Sequence, residues 1–157
     1  MEPAFSILRR LSQVAVFIFS ACLLTTSACS RFEASVEGLD GFATEFRQAN
    51  QASTVDSLLA LYELEGCDDR TLSMLKAALI YELGLPIKRI TFEPLSGAPE
   101  EAIDYEHDGV RYGPSLTPSQ RMRVEYAEED QFTSLFSIGQ TSDGTWRIVS
   151  ARPVPKQ

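Results

Sequence analysis

The hydrophobic period changes once in this chain, at Gly84-Leu85-Pro86, and that switch restricts the fold more than any other feature. Upstream, apolar residues recur at helical spacing. Phe42, Phe46 and Ala49 stand at i, i+4 and i+7, Val55, Leu58, Leu59 and Tyr62 at i, i+3, i+4 and i+7, and Leu72, Leu75, Leu79 and Leu83 form a third stripe. The spacing predicts a helix over roughly 37–50, a second of about three turns capped by Ser53 or Thr54, and a third capped by Asp68 or Asp69. Gly84 can adopt the left-handed conformation that ends a helix, and Pro86 cannot continue one.

Downstream of Pro86 the pattern alternates by twos. Ile87, Ile90 and Phe92 predict a strand near 87–94, closed by Pro94 and the breakers Ser96-Gly97-Ala98-Pro99. Ile103, Tyr105 and His107 alternate up to Asp108-Gly109, and Val110 and Tyr112 continue after it. Both turn residues accept positive φ, so a two-residue hairpin is expected. After a loop over residues 113–118, Met122, Val124 and Tyr126 alternate with Arg121, Arg123 and Glu125, the pattern of a strand with one wet face. A charged turn at Glu128-Glu129-Asp130, a strand from Phe132 to Ile138, a turn at Ser142-Asp143-Gly144 and a strand carrying Trp146, Ile148 and Ser150 on one face complete the order. Helices first and strands after predict an α+β fold, with N-terminal helices packed on a curved antiparallel sheet of four to six strands.

The first 28 residues follow a different logic. Arg9 and Arg10 precede the apolar run from Val14 to Leu24, and the small residues Thr25, Thr26, Ser27 and Ala28 lead to Cys29. That order is the pattern of a secretory signal peptide. The apolar run falls short of the roughly 20 residues that cross a bilayer as a helix, which favours cleavage over a permanent anchor. Thr26-Ser27-Ala28-Cys29 resembles the lipobox of bacterial lipoproteins, with Thr26 where that family usually has Leu. The resemblance implies an acylated Cys29 as the new N-terminus, held stably because several chains are attached where one binds only marginally. By the same resemblance, Ser30 after the cysteine, rather than Asp, implies the outer membrane in a two-membrane bacterium. A plain secretory peptide cut near Ala28, or an uncleaved anchor, are the alternatives. The expected division is 1–28 signal peptide, 29–36 lipidated N-terminus and tether, 37–152 one α+β domain and 153–157 a tail.

Composition narrows the chemistry. A chain of 157 residues with net charge −8 is one domain's worth of sequence and a poor partner for phosphate backbones, so no nucleic acid is expected. Beyond residue 28 the balance is 21 acidic against 12 basic, so membrane attachment is expected through lipid and not through a basic patch. One histidine and three cysteines are too few for zinc-finger, iron–sulfur or multi-histidine sites, and no metal or cofactor is expected. With Cys22 removed and Cys29 acylated, Cys67 is left alone. An unmodified Cys29 leaves a Cys29–Cys67 disulfide open, and Asp68 and Asp69 argue for an inert thiol.

Asp56-Ser57-Leu58-Leu59-Ala60-Leu61-Tyr62 and the terminal Gly144-Thr145-Trp146-Arg147-Ile148-Val149 are similar to segments of the nuclear-transport-factor-2-like superfamily, the cystatin-like α+β cone, over about residues 36–152. The resemblance implies a sheet wrapped around helices with a pocket used for catalysis in some members and for ligand or protein binding in others. It carries no active-site signature onto this chain.

Three groups are candidates for a site. His107 lies in Asp104-Tyr105-Glu106-His107-Asp108, where strand alternation sets it on the face away from Asp104, Glu106 and Asp108. It is either a solvated hairpin residue or a proton carrier supported by Asp104. Arg121 and Arg123 share a strand face and either bind an acidic ligand bidentately or pair across the sheet with Glu or Asp. Trp146 lines a pocket or belongs to the core. No phosphate loop, nucleophile elbow or zinc-protease helix motif is present. The expected function is a lipid-anchored cell-envelope module that binds an envelope protein or a small-molecule ligand. A small proton-transfer enzyme using His107, and a homodimer formed through an apolar outer sheet face, are the alternatives.

Overall fold

The computed structural model describes residues 27–128 and 132–155, with side chains from Gly38 onward. The chain divides into two compact units, Met1–Glu37 and Gly38–Gln157. In the first, the described backbone, from Ser27, is helical; the second holds every described strand and the described core. The lipobox-like segment and the leader before it lie outside the residues whose side chains are described. Among the described residues no helix is long and apolar enough to cross a membrane.

Helix α1 spans Ser27–Asn50, so the stretch 29–36, expected as a tether, has helical backbone. Helix α2 is the single turn Asp56–Leu59, and β1 is Tyr62–Glu63. The three-turn helix expected here is therefore cut short. Leu61 and Tyr62 leave the helical pattern because they pair with a later strand, the Ile148 N–H donating to the Leu61 carbonyl at 2.9 Å. Neither Ser53 nor Thr54 caps α2; its N-cap is Val55, with no side-chain hydrogen bond.

Helix α3, Asp69–Glu82, follows the expectation closely. Asp68 is its cap, Oδ1 accepting from the Thr71 N–H at 2.8 Å. At the far end Gly84 has φ +81°, and its N–H donates to the Asn50 carbonyl at 2.8 Å. Asn50 is fully buried, and its Nδ2 donates to the Glu82 carbonyl at 2.7 Å. The switch of period is thus built as a junction: the end of α1 satisfies backbone groups that the end of α3 leaves free. Of the predicted stripe only Leu79 is fully buried, with Leu72, Leu75 and Leu83 half-buried.

After the switch come β2 (Ile87–Pro94), a 3-10 turn (Pro99–Ala102), β3 (Tyr105–His107), β4 (Val110–Pro114), β5 (Gln120–Tyr126), β6 (Thr133–Gln140), β7 (Trp146–Val149) and β8 (Ala151–Pro153). The fold is α+β. The strands form two sheets and not one, a five-stranded sheet in the order β1-β7-β6-β5-β2 and a three-stranded sheet β3-β4-β8. Pairing is antiparallel except at the edge, where β1 runs parallel to β7. Gly113 and Pro114, expected in a loop, extend β4 because they pair with Arg152 and Ala151 of β8.

The core lies between the helices and the inner face of the larger sheet. Phe42 and Phe46 of α1, Leu58 of α2 and Leu79 of α3 belong to one buried cluster with Met122, Val124 and Tyr126 of β5, Phe136 and Ile138 of β6 and Trp146 and Ile148 of β7. The other face carries Arg89 with Glu125, Glu93 with Arg121 and Arg123, and Ser137, with Leu135 half-exposed among them.

Candidate functional site

The hairpin forms as its turn chemistry dictates, Asp108 and Gly109 having φ +51° and +74°. Tyr105 pairs with Tyr112 across it, and their rings stack at 5.2 Å with an interplanar angle of 11°. The pair meets the first turns of α3. Arg70, Thr71 and Met74 from the helix, with Tyr105, His107 and Tyr112 from the hairpin, line an open depression of about 230 Å³. Tyr112 donates to Asp68 Oδ2 at 3.0 Å, so the residue that caps α3 also fastens the hairpin to it. Burial, and then the hydrogen bond to Asp68, push the Tyr112 hydroxyl above its usual range.

Alternation keeps Asp104 and Glu106 from His107, as expected, but not Asp108. The left-handed turn conformation brings Asp108 Oδ2 within 3.3 Å of His107 Nε2. Arg70 joins both: Nη1 bonds Asp108 Oδ2 at 2.7 Å and Nη2 contacts His107 Nε2. The Arg70 hydrogen bond, with His107 nearby, holds the Asp108 carboxyl below the ordinary carboxylate range. Asp104, the carboxylate expected to support His107 in a proton-transfer role, is engaged bidentately by Arg111 at 2.9 and 2.8 Å. A general base needs a lone pair free to reach its substrate. His107 Nε2 lies against both the Arg70 guanidinium and the Asp108 carboxylate, in a side chain about half exposed.

Arg121 and Arg123 share their face and both turn to Glu93, Arg121 Nε at 3.3 Å and Arg123 Nη2 at 2.9 Å. Arg121 also reaches buried Glu101 at 2.9 Å. Glu101 further accepts from the Ser96 N–H and hydroxyl at 3.1 and 2.8 Å and from the Gly97 N–H at 2.8 Å. Cross-sheet pairing is what these arginines do here.

The bonds to Glu101, the Ser96 N–H foremost, hold its carboxyl below its ordinary value of 4.5. As pH falls from that value toward the folded one, the unfolded chain takes up a proton that the folded chain refuses, so this contribution to stability is lost on the acid side. Glu101→Gln should therefore melt below the wild type at neutral pH, and the gap should narrow as the pH is lowered past 4.5 in thermal melts. Parallel melting curves across that range would contradict it.

Two polar clusters inside the domain are internally satisfied. Tyr126 and Ser134 donate to Glu82 Oε2 and Oε1 at 2.7 and 2.8 Å, and burial followed by Glu82 pushes the Tyr126 hydroxyl well above its usual range. Cys67 is a free thiol whose Sγ lies 3.0 Å from Ser150 Oγ and donates to the Ala151 carbonyl at 3.3 Å. Ser150 Oγ continues to Ser115 Oγ at 3.0 Å and to the Glu63 carbonyl. Trp146 is nearly buried and belongs to the core cluster. Among the described residues no group of three or more His, Cys, Asp or Glu side chains is placed to hold a metal ion.

Beside the depression runs a surface that the leucine stripe conceals in the sequence. Met74, Ala77, Ala78 and Tyr81 stand at i, i+3, i+4 and i+7 on α3, and all are exposed, Met74 at 62% and Tyr81 at 80%. The spacing of this second stripe was readable; its orientation was not, because two apolar faces compete for one core. Arg70 stands four residues before Met74, on the same face. No family model, no curated protein and no solved structure matches the chain.

Proposed function

We propose that this is an exported module of the bacterial cell envelope, anchored by acylated Cys29, that recognises a protein partner through the outer face of α3 and the adjoining depression. The helices before a β-meander, with one core between them, support the cone-like arrangement that the superfamily resemblance implies. One observation carries the recognition reading: the exposed row Met74, Ala77, Ala78, Tyr81 leads into a depression walled by Tyr105 and edged by Arg70. Exposed apolar residues in a contiguous row beside polar ones are the usual dress of an interface. The buried acid–tyrosine cluster at Glu82 is, by contrast, bonded to its own neighbours.

A photoreactive side chain introduced at Met74, with a control at Leu135 on the charged sheet face, tests this in intact envelopes. Adducts of defined mass from Met74 and none from Leu135 are expected. Adducts between two copies of the chain would make the partner a second copy. No adduct at Met74, together with an enzymatic turnover lost on His107→Ala, would overturn the reading in favour of catalysis.

A further inference from the structure

We propose that the free edge of β2 pairs antiparallel with the β2 edge of a second copy of this chain, about a twofold axis at Thr91, joining two five-stranded sheets into one. The interaction is independent of the α3 face.

β2 is the outermost strand on its side of the larger sheet and pairs with β5 alone among the described strands. The direction of its backbone groups follows from the ladder. The Tyr126 N–H donates to the Phe132 carbonyl at 3.0 Å, so Tyr126 faces β6, and alternation turns Glu125, Arg123 and Arg121 toward β2. Their partners there are Arg89, Thr91 and Glu93. Ile90 and Phe92 therefore present N–H and C=O outward, and no other described element is hydrogen-bonded to them. Free backbone groups along an edge are what strand addition uses.

Both ends of the edge are closed. Arg47 Nη1 donates to the Ile87 carbonyl at 3.1 Å, the register shifts between Ile87 and Arg89, and Pro94 has no N–H to offer. Beyond Pro94 the chain turns back over the sheet, where Glu101 meets Arg121 of β5 and its carbonyl accepts from Ser137 Oγ of β6 at 3.4 Å. The open stretch is residues 89–93.

That stretch is its own complement. About an axis at Thr91, Ile90 of one copy exchanges both backbone hydrogen bonds with Phe92 of the other, the same pair recurs by symmetry, and Thr91 faces Thr91. On the core side, Ile90 and Phe92 are half-buried against the core cluster, and the pairing sets a β-branched side chain beside an aromatic one across the new seam. On the outer side, Arg89 falls opposite Glu93. Arg89 gives Nε and Nη2 to Glu125, and Glu93 receives Arg121 and Arg123 on Oε1. Arg89 Nη1 and Glu93 Oε2 are left without a hydrogen bond among the described residues. Displacing the register by two residues sets Arg89 or Glu93 against Thr91 and loses that match, so charge selects the register.

Cysteine variants of the full-length chain, oxidised in whole cells and then purified, test the pairing and its register. Residues facing each other at a non-hydrogen-bonded position lie about 4.5 Å apart at Cα, within disulfide reach. Thr91→Cys should give a disulfide-linked dimer that the unsubstituted chain does not. Arg89→Cys and Glu93→Cys should each fail alone and crosslink when the two variants are made in the same cell. Thr91→Glu places a carboxylate beside Arg123 within the chain, and against its own copy across the axis. It should keep the melting temperature and weaken dimerisation about fivefold in sedimentation velocity. A chain that sediments as a monomer at every concentration, Arg89→Cys crosslinking alone as well as Thr91→Cys, or Thr91→Cys captured by a foreign protein in place of its own copy would overturn the proposal. If Thr91→Cys does not fold, the Arg89→Cys and Glu93→Cys mixture decides.

Discussion

Phe46→Ala should lower the free energy of unfolding by about 3–5 kcal/mol, the range for removing a buried phenylalanine ring. Phe46 is fully buried in the second half of α1, its ring 5.5 Å from that of Phe136 on β6 and tilted 54° to it. It bridges the helical half and the sheet, so its truncation opens a cavity at the seam between them. The neighbours cannot collapse into that space easily: Met122, Val124 and Ile138 are held by the strand ladders on either side. Denaturant titration should show a midpoint shifted down with an unchanged slope. A loss below about 1 kcal/mol would mean that α1 does not pack on the sheet in solution.

The second large effect is expected where adding a methyl group, not removing a ring, does the damage. A Cβ at Gly139 of β6 would stand 2.4 Å from the Thr117 carbonyl oxygen and 3.2 Å from Leu116 Cδ2. The loop crosses β6 there, with the Ser119 N–H donating to the Ile138 carbonyl at 2.9 Å. Because the nearest atom is backbone and not the end of a flexible side chain, the loop itself must move. Gly139→Ala should cost about 3 kcal/mol, the upper part of the overpacking range. Gly41→Ala is the matched control: in a helix and with open space around it, it should stabilise by up to about 1 kcal/mol. Thermal melts of both variants check the pair, and equal shifts would show that helix and strand propensity, not the loop crossing, set the outcome.

Much of this architecture was legible because local rules agreed with one another. The Asp68 cap, the stop at Gly84 and Pro86, the Asp108-Gly109 hairpin and the alternation of β5 each rest on a few adjacent residues, and each stands where the pattern put it. What could not be read depended on distant partners. Nothing near Tyr62 announces that it pairs with Ile148, so a helical run was expected where the chain makes a one-turn helix and a parallel edge strand. Pro153 looks like the start of a tail until Tyr112 is seen beside it.

The candidate site divides the same way. Periodicity set Tyr105 and His107 on one face and kept Arg121 and Arg123 together. It could not show that Glu93 and Glu101 would engage the arginines, or that Arg70, from another element, would contact His107. Nor could it show that a nearly buried tryptophan keeps an unpartnered N–H.

The proposed placement of this domain outside the cytoplasm, and hence the kind of partner proposed for its α3 face, rests on the first 29 residues. The most direct measurement is the mass of the N-terminal peptide of protein purified from envelopes. The expected result is a chain that begins at Cys29, lacks residues 1–28 and carries the mass of attached acyl chains. A peptide beginning at Met1, or at an unmodified Cys29 or Ser30, would contradict it.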